Sequence, residues 1–157
     1  MGRIEAILLA AGYSSRMGRL KPLLPIGGTT VIRRQAEVLD GLTDRTIVVT
    51  GYRGDEVEAH LSGSRVTTVR NQAFAEGMFT SVKAGILALD QEVSAFLILP
   101  VDYPLVTRSL IEDLIEEFHH SGAPVLYPSF SMRKGHPPVI SAACIPDILS
   151  YQGDAGL

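Results

Sequence analysis

Arg16, Lys21 and Asp102 are the ionisable residues whose types and settings suit phosphate chemistry. The two cations belong to a stretch that opens Ala10-Ala11-Gly12, where side-chain bulk disappears and the backbone can approach a ligand. Ser14 and Ser15, Arg16, a second glycine at Gly18 and Lys21 follow within the next nine residues. Small residues, unpaired backbone N–H groups and two cations make a cradle for a polyanion. Asp102 stands just past the apolar run Ala95–Val101, where a carboxylate can hold Mg²⁺ against phosphate oxygens. Its position alone equally suits an aspartate shaping the turn before Pro104.

Two common glycine loops are excluded. A Walker A loop has four residues between its glycines and then Lys-Ser or Lys-Thr, whereas five separate Gly12 from Gly18 and Arg19-Leu20 follow. The dinucleotide fingerprint needs a glycine two positions after the first, and residue 14 is serine. The segment Leu9–Pro25 instead satisfies every fixed position of L-A-A-G-x-S-x-R-M-G-x-x-K-x-L-L-P. On that motif the chain resembles the MobA-like NTP transferases. Within them it is most similar to the molybdenum cofactor cytidylyltransferase branch, whose loop carries Ala-Ala-Gly where the guanylyltransferase branch carries Ala-Gly-Gly.

Five further segments enter through that resemblance. The family's D-x-P aspartate, here Asp102, binds metal; Tyr103 stands where relatives often have glutamine. Asn71–Gly85 resembles N-x-x-x-x-x-G-M-x-x-S-x-x-x-G, which implies that Asn71, Gly77, Met78 and Ser81 line the base and ribose end of a nucleotide pocket. Leu9, Ala10, Ala11 and Gly12, with Thr50 and Gly51 at the end of the second strand, join them as implied nucleotide contacts. Arg133, Gly135 and His136 resemble an R-G-H-P loop facing the acceptor phosphate, with Lys134 inserted into the usual spacing or replacing a small residue. Read without the resemblance, Ser81 and Gly85 are small residues permitting close helix–sheet packing, and the 133–137 segment is a solvated basic turn. Tyr151–Leu157 resembles the family's G-D-x-G-x-R but stops before the arginine. By the same comparison the family's last strand and helix, with its second metal-binding residue, are not represented.

The elements that must position these groups follow from periodicity. Ile4–Leu9, Arg45–Thr50 and Ala95–Val101 are short apolar runs of the kind buried in parallel sheets, the third being central. Val66–Val69, Pro124–Tyr127 and Pro138–Ile140 are predicted as further strands. Helices are expected from a cap at Thr29 or Thr30 through Leu39, over 55–61, from Met78 to Leu89 with Met78, Val82, Ile86 and Leu89 inward, from Arg108 to His119, and over Ile145–Tyr151. The fourth helix starts at Thr107 or Ser109, and Ser109 with Glu112 fits a capping box. Alternating strands and helices predict a three-layer α/β/α sandwich with a mostly parallel, Rossmann-like sheet, the nucleotide-diphospho-sugar transferase type. Ligands in such sheets bind outside the carboxyl ends of strands.

Composition bounds the reading. A chain of 157 residues, 46% hydrophobic, supports one domain over 1–157. A net charge of −3 argues against nucleic-acid or membrane-surface partners. A single cysteine, Cys144, expected as a small buried hydrophobe, excludes a disulfide framework and fits a reducing cytoplasm. No signal peptide or spanning segment is evident in the sequence.

The expected activity is transfer of a nucleotidyl group, CMP by resemblance, from an NTP to the phosphate of molybdopterin, with release of pyrophosphate. Arg16 and Lys21 would neutralise the triphosphate and Asp102 would hold Mg²⁺. The partners implied are CTP, a molybdopterin-type acceptor, and a molybdoenzyme or a further domain of a longer polypeptide. A sugar-1-phosphate nucleotidyltransferase and a non-catalytic nucleotide-binding module are the competing readings.

Overall fold

The computed structural model describes residues 2–13 and 18–152. The first half runs β1 (Arg3–Ala10), a 3-10 turn (Lys21–Leu23), β2 (Pro25–Ile26), β3 (Thr29–Thr30), α1 (Val31–Leu39), β4 (Arg45–Thr50), α2 (Gly54–Ala59) and β5 (Thr67–Arg70). A 3-10 turn at Phe74–Glu76 leads to α3 (Met78–Leu87), β6 (Val93–Pro100) and α4 (Arg108–Ser121). The chain continues through β7 (Val125–Leu126), β8 (Ser129–Phe130), β9 (Arg133–Lys134), β10 (Val139–Ser141), a third 3-10 turn (Ala142–Cys144) and α5 (Ile145–Ser150).

The main sheet has the order β5-β4-β1-β6-β10-β7, with β5, β4, β1 and β6 parallel and β10 antiparallel to β6. This is the expected three-layer α/β/α arrangement. Side chains on a strand alternate between faces, so the apolar run of β1 serves two cores. Ile4, Ala6, Leu8 and Ala10 join Ile32 and Leu39 of α1 and Ile111 and Leu114 of α4. Ile7, Leu9 and Ala11 join Val82 and Ile86 of α3, with Ile148 of α5 packed against that face. The strand predicted as central, β6, shares the middle of the sheet with β1.

Several boundaries differ from the periodicity. The third helix ends at Leu87, and Met78 at its start is 60% exposed, so the inward stripe begins at Ser81 and Val82. The second helix begins at Gly54, where Arg53 leaves the helical region with φ 51°. Of the two candidate caps for α4, Thr107 accepts the Leu110 N–H at 3.3 Å, and Ser109 instead pairs its hydroxyl with that of Thr107 at 3.1 Å. Cys144 is half-buried rather than buried, because it sits at the rim of the α5 turn with its thiol toward Pro124 O at 3.7 Å.

One feature of β1 runs against its apolar pattern. Glu5 is fully buried, and its Oε2 accepts from Arg45 Nη2 at 3.0 Å and from the Asp90 N–H at 3.2 Å. Glu5 and Arg45 are register partners on β1 and β4, and Arg45 also donates to Ala88 O at the end of α3. A buried carboxylate with so specific a partner penalises any slip of β1 against β4, since a slip would leave it unpaired. No helix among the described residues is long and apolar enough to cross a membrane.

Gly85 answers one open question from the sequence. A Cβ built there would lie 2.5 Å from Ile7 Cγ2 and 3.2 Å from Val49 Cγ2. The glycine therefore lets α3 rest on β1 and β4. Gly85→Ala should lower unfolding free energy by about 1–2 kcal/mol, overpacking outweighing the helix propensity gained. A urea midpoint equal to or above wild type would contradict this contact.

Candidate active site

The pairing of β1 with β6 sets Leu9 opposite Pro100, and Val101 N–H donates to Leu9 O at 3.2 Å. The two loops that follow therefore leave the sheet side by side. Between them lies a cleft of about 210 Å³. Leu9, Ala10, Ala11 and Gly12 form one wall, and Pro100, Val101 and Asp102 form the other. Phe74, Met78 and Ser81 close it from the α3 side, and Lys21 and Pro22 reach in from the first 3-10 turn.

Lys21 Nζ meets Asp102 Oδ1 at 2.7 Å, across 81 residues of sequence. Both side chains are partly open to solvent, at 35% and 45% exposure. An ion pair of that exposure contributes about 0–1 kcal/mol, so it orients both groups yet exchanges readily for an anion or a cation. Lys21 is carried by a tight turn in which Leu23 N–H bonds Leu20 O at 3.0 Å and Leu24 N–H bonds Lys21 O at 3.2 Å, with Leu20 and Pro22 buried beneath. Asp102 is braced from α1: buried Gln35 donates from Nε2 to Pro100 O and to Tyr103 O, each at 3.1 Å. Nothing in the local sequence of Gln35 marks the carbonyls it reaches.

Of the remaining sequence candidates, several stand behind the cleft wall. Thr50 is fully buried; its hydroxyl donates to Glu58 Oε1 at 2.7 Å and its carbonyl accepts the Asn71 N–H at 2.8 Å. The Arg70 guanidinium, followed by the Thr50 hydroxyl, holds the Glu58 carboxyl below the usual carboxylate range. Gly51 packs so closely that a Cβ would lie 2.7 Å from Phe74 Cβ and 2.8 Å from Ala11 O. The next residue, Tyr52, donates its N–H to Ala11 O at 3.1 Å. Tyr13, Tyr52 and Phe74 form an aromatic cluster over this contact, Tyr13 lying 4.9 Å from Tyr52 and 5.2 Å from Phe74 between centroids. Gly77 has φ 113° and ψ 163°, a conformation open almost only to glycine, and it sets the entry into α3. Asn71 is buried and bonds Thr80 and Ser81. Arg16, with Ser14 and Ser15, lies outside the described residues.

The acceptor candidates fall beside a second cavity, of about 420 Å³, against the neighbouring strands. Gly135 and His136 line it together with Tyr127 and Lys134, while Arg133 is exposed on β9 and is not part of its lining. The segment read as a basic turn is thus the second strand of a small β8–β9 hairpin and its exit. His136 stacks on Tyr103, 4.4 Å between ring centroids, and its buried Nδ1 has no hydrogen-bond partner among the described residues. Burial pushes the His136 proton affinity below the ordinary imidazole value.

Among the described residues no three His, Cys, Asp or Glu side chains converge as ligands for a metal ion. Asp102 fits a divalent cation only as a single carboxylate, with phosphate oxygens and water completing an octahedron.

Residues 6–157 match the MobA-like NTP transferase domain. The molybdenum cofactor cytidylyltransferase of Escherichia coli K12 is 35% identical over 146 residues, 92% of this chain and 73% of that protein. The bifunctional protein GlmU of Ruthia magnifica is 33% identical over 128 residues, 80% of this chain but only 28% of its own length. A nucleotidyl transferase from Methanothermobacter superposes with a TM-score of 0.79 at 28% identity, over 98% of this chain and 78% of its own. Rv0371c from Mycobacterium tuberculosis superposes with a TM-score of 0.85 at 22% identity, over 99% and 79% of the two chains.

The His136 environment has a pH consequence. Its folded-state affinity for protons lies below that of the unfolded chain, about 6.5, so the unfolded state takes up a proton first as pH falls. Stability contributed by the neutral ring is present above about 6.5 and is lost on acidification. The loss of stability between about pH 7 and pH 5 should therefore be smaller in His136→Gln than in wild type. Parallel curves from urea titrations at several pH values would show that the ring is not desolvated.

Proposed function

The chain belongs to the MobA-like NTP transferase family and is a nucleotidyltransferase, and from that premise we propose that it transfers CMP from CTP to the phosphate of a molybdopterin-type acceptor. The observation that carries the proposal is the Lys21–Asp102 pair set across a cleft whose wall is the bare backbone of Ala10–Gly12. A cation, a carboxylate and small-residue backbone within one cleft suit a reaction between two anions, whose barrier is dominated by charge.

In this reading a phosphate oxygen of the acceptor attacks the α-phosphorus in line, and pyrophosphate leaves from the opposite side. Ala11 and Gly12 let the nucleotide approach the backbone closely. Lys21 leaves Asp102 for the incoming phosphates, an exchange that costs little because the pair is half exposed. Arg16 adds a second positive charge from the same loop. The acceptor phosphate is already ionised at neutral pH, so no general base is assigned. Asp102, freed from Lys21, would hold a divalent cation, Mg²⁺ in this proposal, which when bound neutralises charge on the phosphate oxygens. The acceptor side is assigned to the second cavity with Gly135 and His136, and Arg133 at its exposed margin attracts the anion. In this proposal residues 1–157 act as one nucleotidyltransferase domain in the cytoplasm, with a molybdoenzyme or a further domain receiving the product.

The similarity to GlmU favours a second reading, a sugar-1-phosphate acceptor served by the same triphosphate machinery. Turnover of N-acetylglucosamine-1-phosphate or glucose-1-phosphate in place of molybdopterin would establish it.

Lys21→Ala should lower kcat/KM by about 10²-fold or more, the loss typical of one positioned donor to a developing anion. Asp102→Asn should nearly abolish metal-dependent turnover with the melting temperature little changed, because asparagine keeps the turn but not the charge. Pyrophosphate release near the wild-type rate in both variants would remove the cleft from the reaction.

A further inference from the structure

The loop that carries Asp102 is held by a side chain that does not itself line the cleft. Pro100–Tyr103 is a turn closed by Tyr103 N–H to Pro100 O at 3.2 Å, with Val101 and Asp102 as its two central residues. Gln35 of α1, 1% exposed and outside the cleft lining, directs Nε2 to Pro100 O and to Tyr103 O, each at 3.1 Å. Two carbonyl oxygens converging on one point repel each other unless a donor with two hydrogens stands between them. Among ordinarily neutral side chains only a primary amide has two hydrogens on one nitrogen, and a buried cation would be costlier. The opposite amide orientation is excluded, because it would set an oxygen against both carbonyls. The neighbouring Arg34 adds a further bond to the same loop, Nε to Pro104 O at 3.1 Å. The helix that bears both also fixes the exit of the Lys21 turn, through Val31 N–H to Leu24 O at 3.0 Å. The loops of Lys21 and Asp102 are thus both tied to α1.

For stability alone this is a poor choice of core residue. Pro100 O is already bonded to Tyr103 N–H, and Gln35 Oε1 is buried with no partner among the described residues. An unpaired buried acceptor costs free energy that a leucine or methionine in the same place would not incur. We propose that Gln35 is a positioning residue whose amide holds the Pro100–Tyr103 turn in the shape that presents the Asp102 carboxylate to the cleft. It thereby sets how strongly that carboxylate holds a divalent cation against a bound triphosphate. The proposal rests on the reading of Asp102 as the group that holds the cation. Groups that orient a metal ligand without touching the ion govern its affinity strongly, since a carboxylate turned aside is replaced by water, a weaker ligand.

Gln35→Met keeps the length and packing of the side chain and removes the donor. The dissociation constant of CTP should be measured by calorimetry, once with MnCl₂ and once with EDTA, for wild type, Gln35→Met, Asp102→Asn and the double variant. The ratio of the EDTA constant to the manganese constant reports what the cation adds to nucleotide binding in each protein. That ratio should fall about tenfold or more in Gln35→Met, the loss typical when the groups supporting a metal ligand are removed. Binding in EDTA should not weaken, because it does not call on the Asp102 carboxylate. The double variant should show the same ratio as Asp102→Asn, since Gln35 acts only through that carboxylate. An unchanged ratio in Gln35→Met, or a further fall in the double variant, would overturn the proposal. Equal weakening in both buffers would overturn it too, because that is what a merely structural role produces. Should Gln35→Met fail to fold, ¹⁵N NMR decides: the Gln35 Nε2 resonance should shift when MgCl₂ is added to the CTP complex of wild type and stay in place in Asp102→Asn. An unmoved resonance in wild type, or the same shift in both proteins, would overturn the proposal. A ratio that falls in Asp102→Asn but not in Gln35→Met removes the proposal alone, whereas a wild-type ratio in Asp102→Asn removes the reading of Asp102 with it. No CTP binding by wild type in either buffer would overturn the nucleotide reading and the proposal together.

Discussion

The parallel pairing of β1 with β6 is the constraint on which the rest of the structure depends. Its register sets Leu9 level with Pro100, so the small-residue backbone after one strand and the carboxylate after the other emerge at the same height. A slip of that register by one residue would offset the two loops along the strand direction and draw Lys21 away from Asp102. Two features hold it. Both faces of β1 are buried in separate cores, and the Glu5–Arg45 pair penalises displacement against β4 at the opposite end of the strand from the cleft.

The cleft is shaped as much by what supports it as by what lines it. Gln35 reaches from α1 to the carbonyls on either side of the Asp102 turn, and Gly51 admits Phe74 and Ala11 into contact. Thr50, Glu58 and Arg70 tie α2 to the ends of β4 and β5 by short bonds, 2.7 and 2.8 Å. These residues do not line the space where a ligand would sit, yet Gln35 and Gly51 each contact residues that do. Such rigid backing lets a site act through charge without reorganising during reaction. The Lys21–Asp102 pair is the exception, placed where solvent screening keeps it exchangeable.

Much of this was legible in the sequence, for identifiable reasons. Continuous apolar runs marked β1, β4 and β6 because strands buried on both faces have little room for polar side chains. The motif from Leu9 to Pro25 and the position of Asp102 pointed to the cleft before its geometry was known, since ligands bind at the carboxyl ends of such strands. The failures have physical causes too. Met78 matched the inward period of α3 but lies in its first turn, where the helix overhangs the cleft and the side chain stays exposed. Glu5 was hidden because its partner is 40 residues away. Gly85 suited both a packing and a pocket role, and only the distance to Ile7 decided between them. The β8–β9 hairpin escaped because its strands are two residues long and its turn, at Ser131 and Met132, uses positive φ without glycine or asparagine to signal it.

The central claim is that one cleft, between the ends of β1 and β6, holds the triphosphate with its reacting phosphate beside Asp102. A crystal structure of the protein soaked with CTP and MnCl₂, with anomalous data at the manganese edge, tests it directly. The account predicts an anomalous peak bonded to the Asp102 carboxylate, triphosphate oxygens against the Ala11–Gly12 backbone, and Lys21 moved from Asp102 onto a phosphate. Nucleotide bound elsewhere, or manganese held away from Asp102 with the Lys21–Asp102 pair intact, would contradict it.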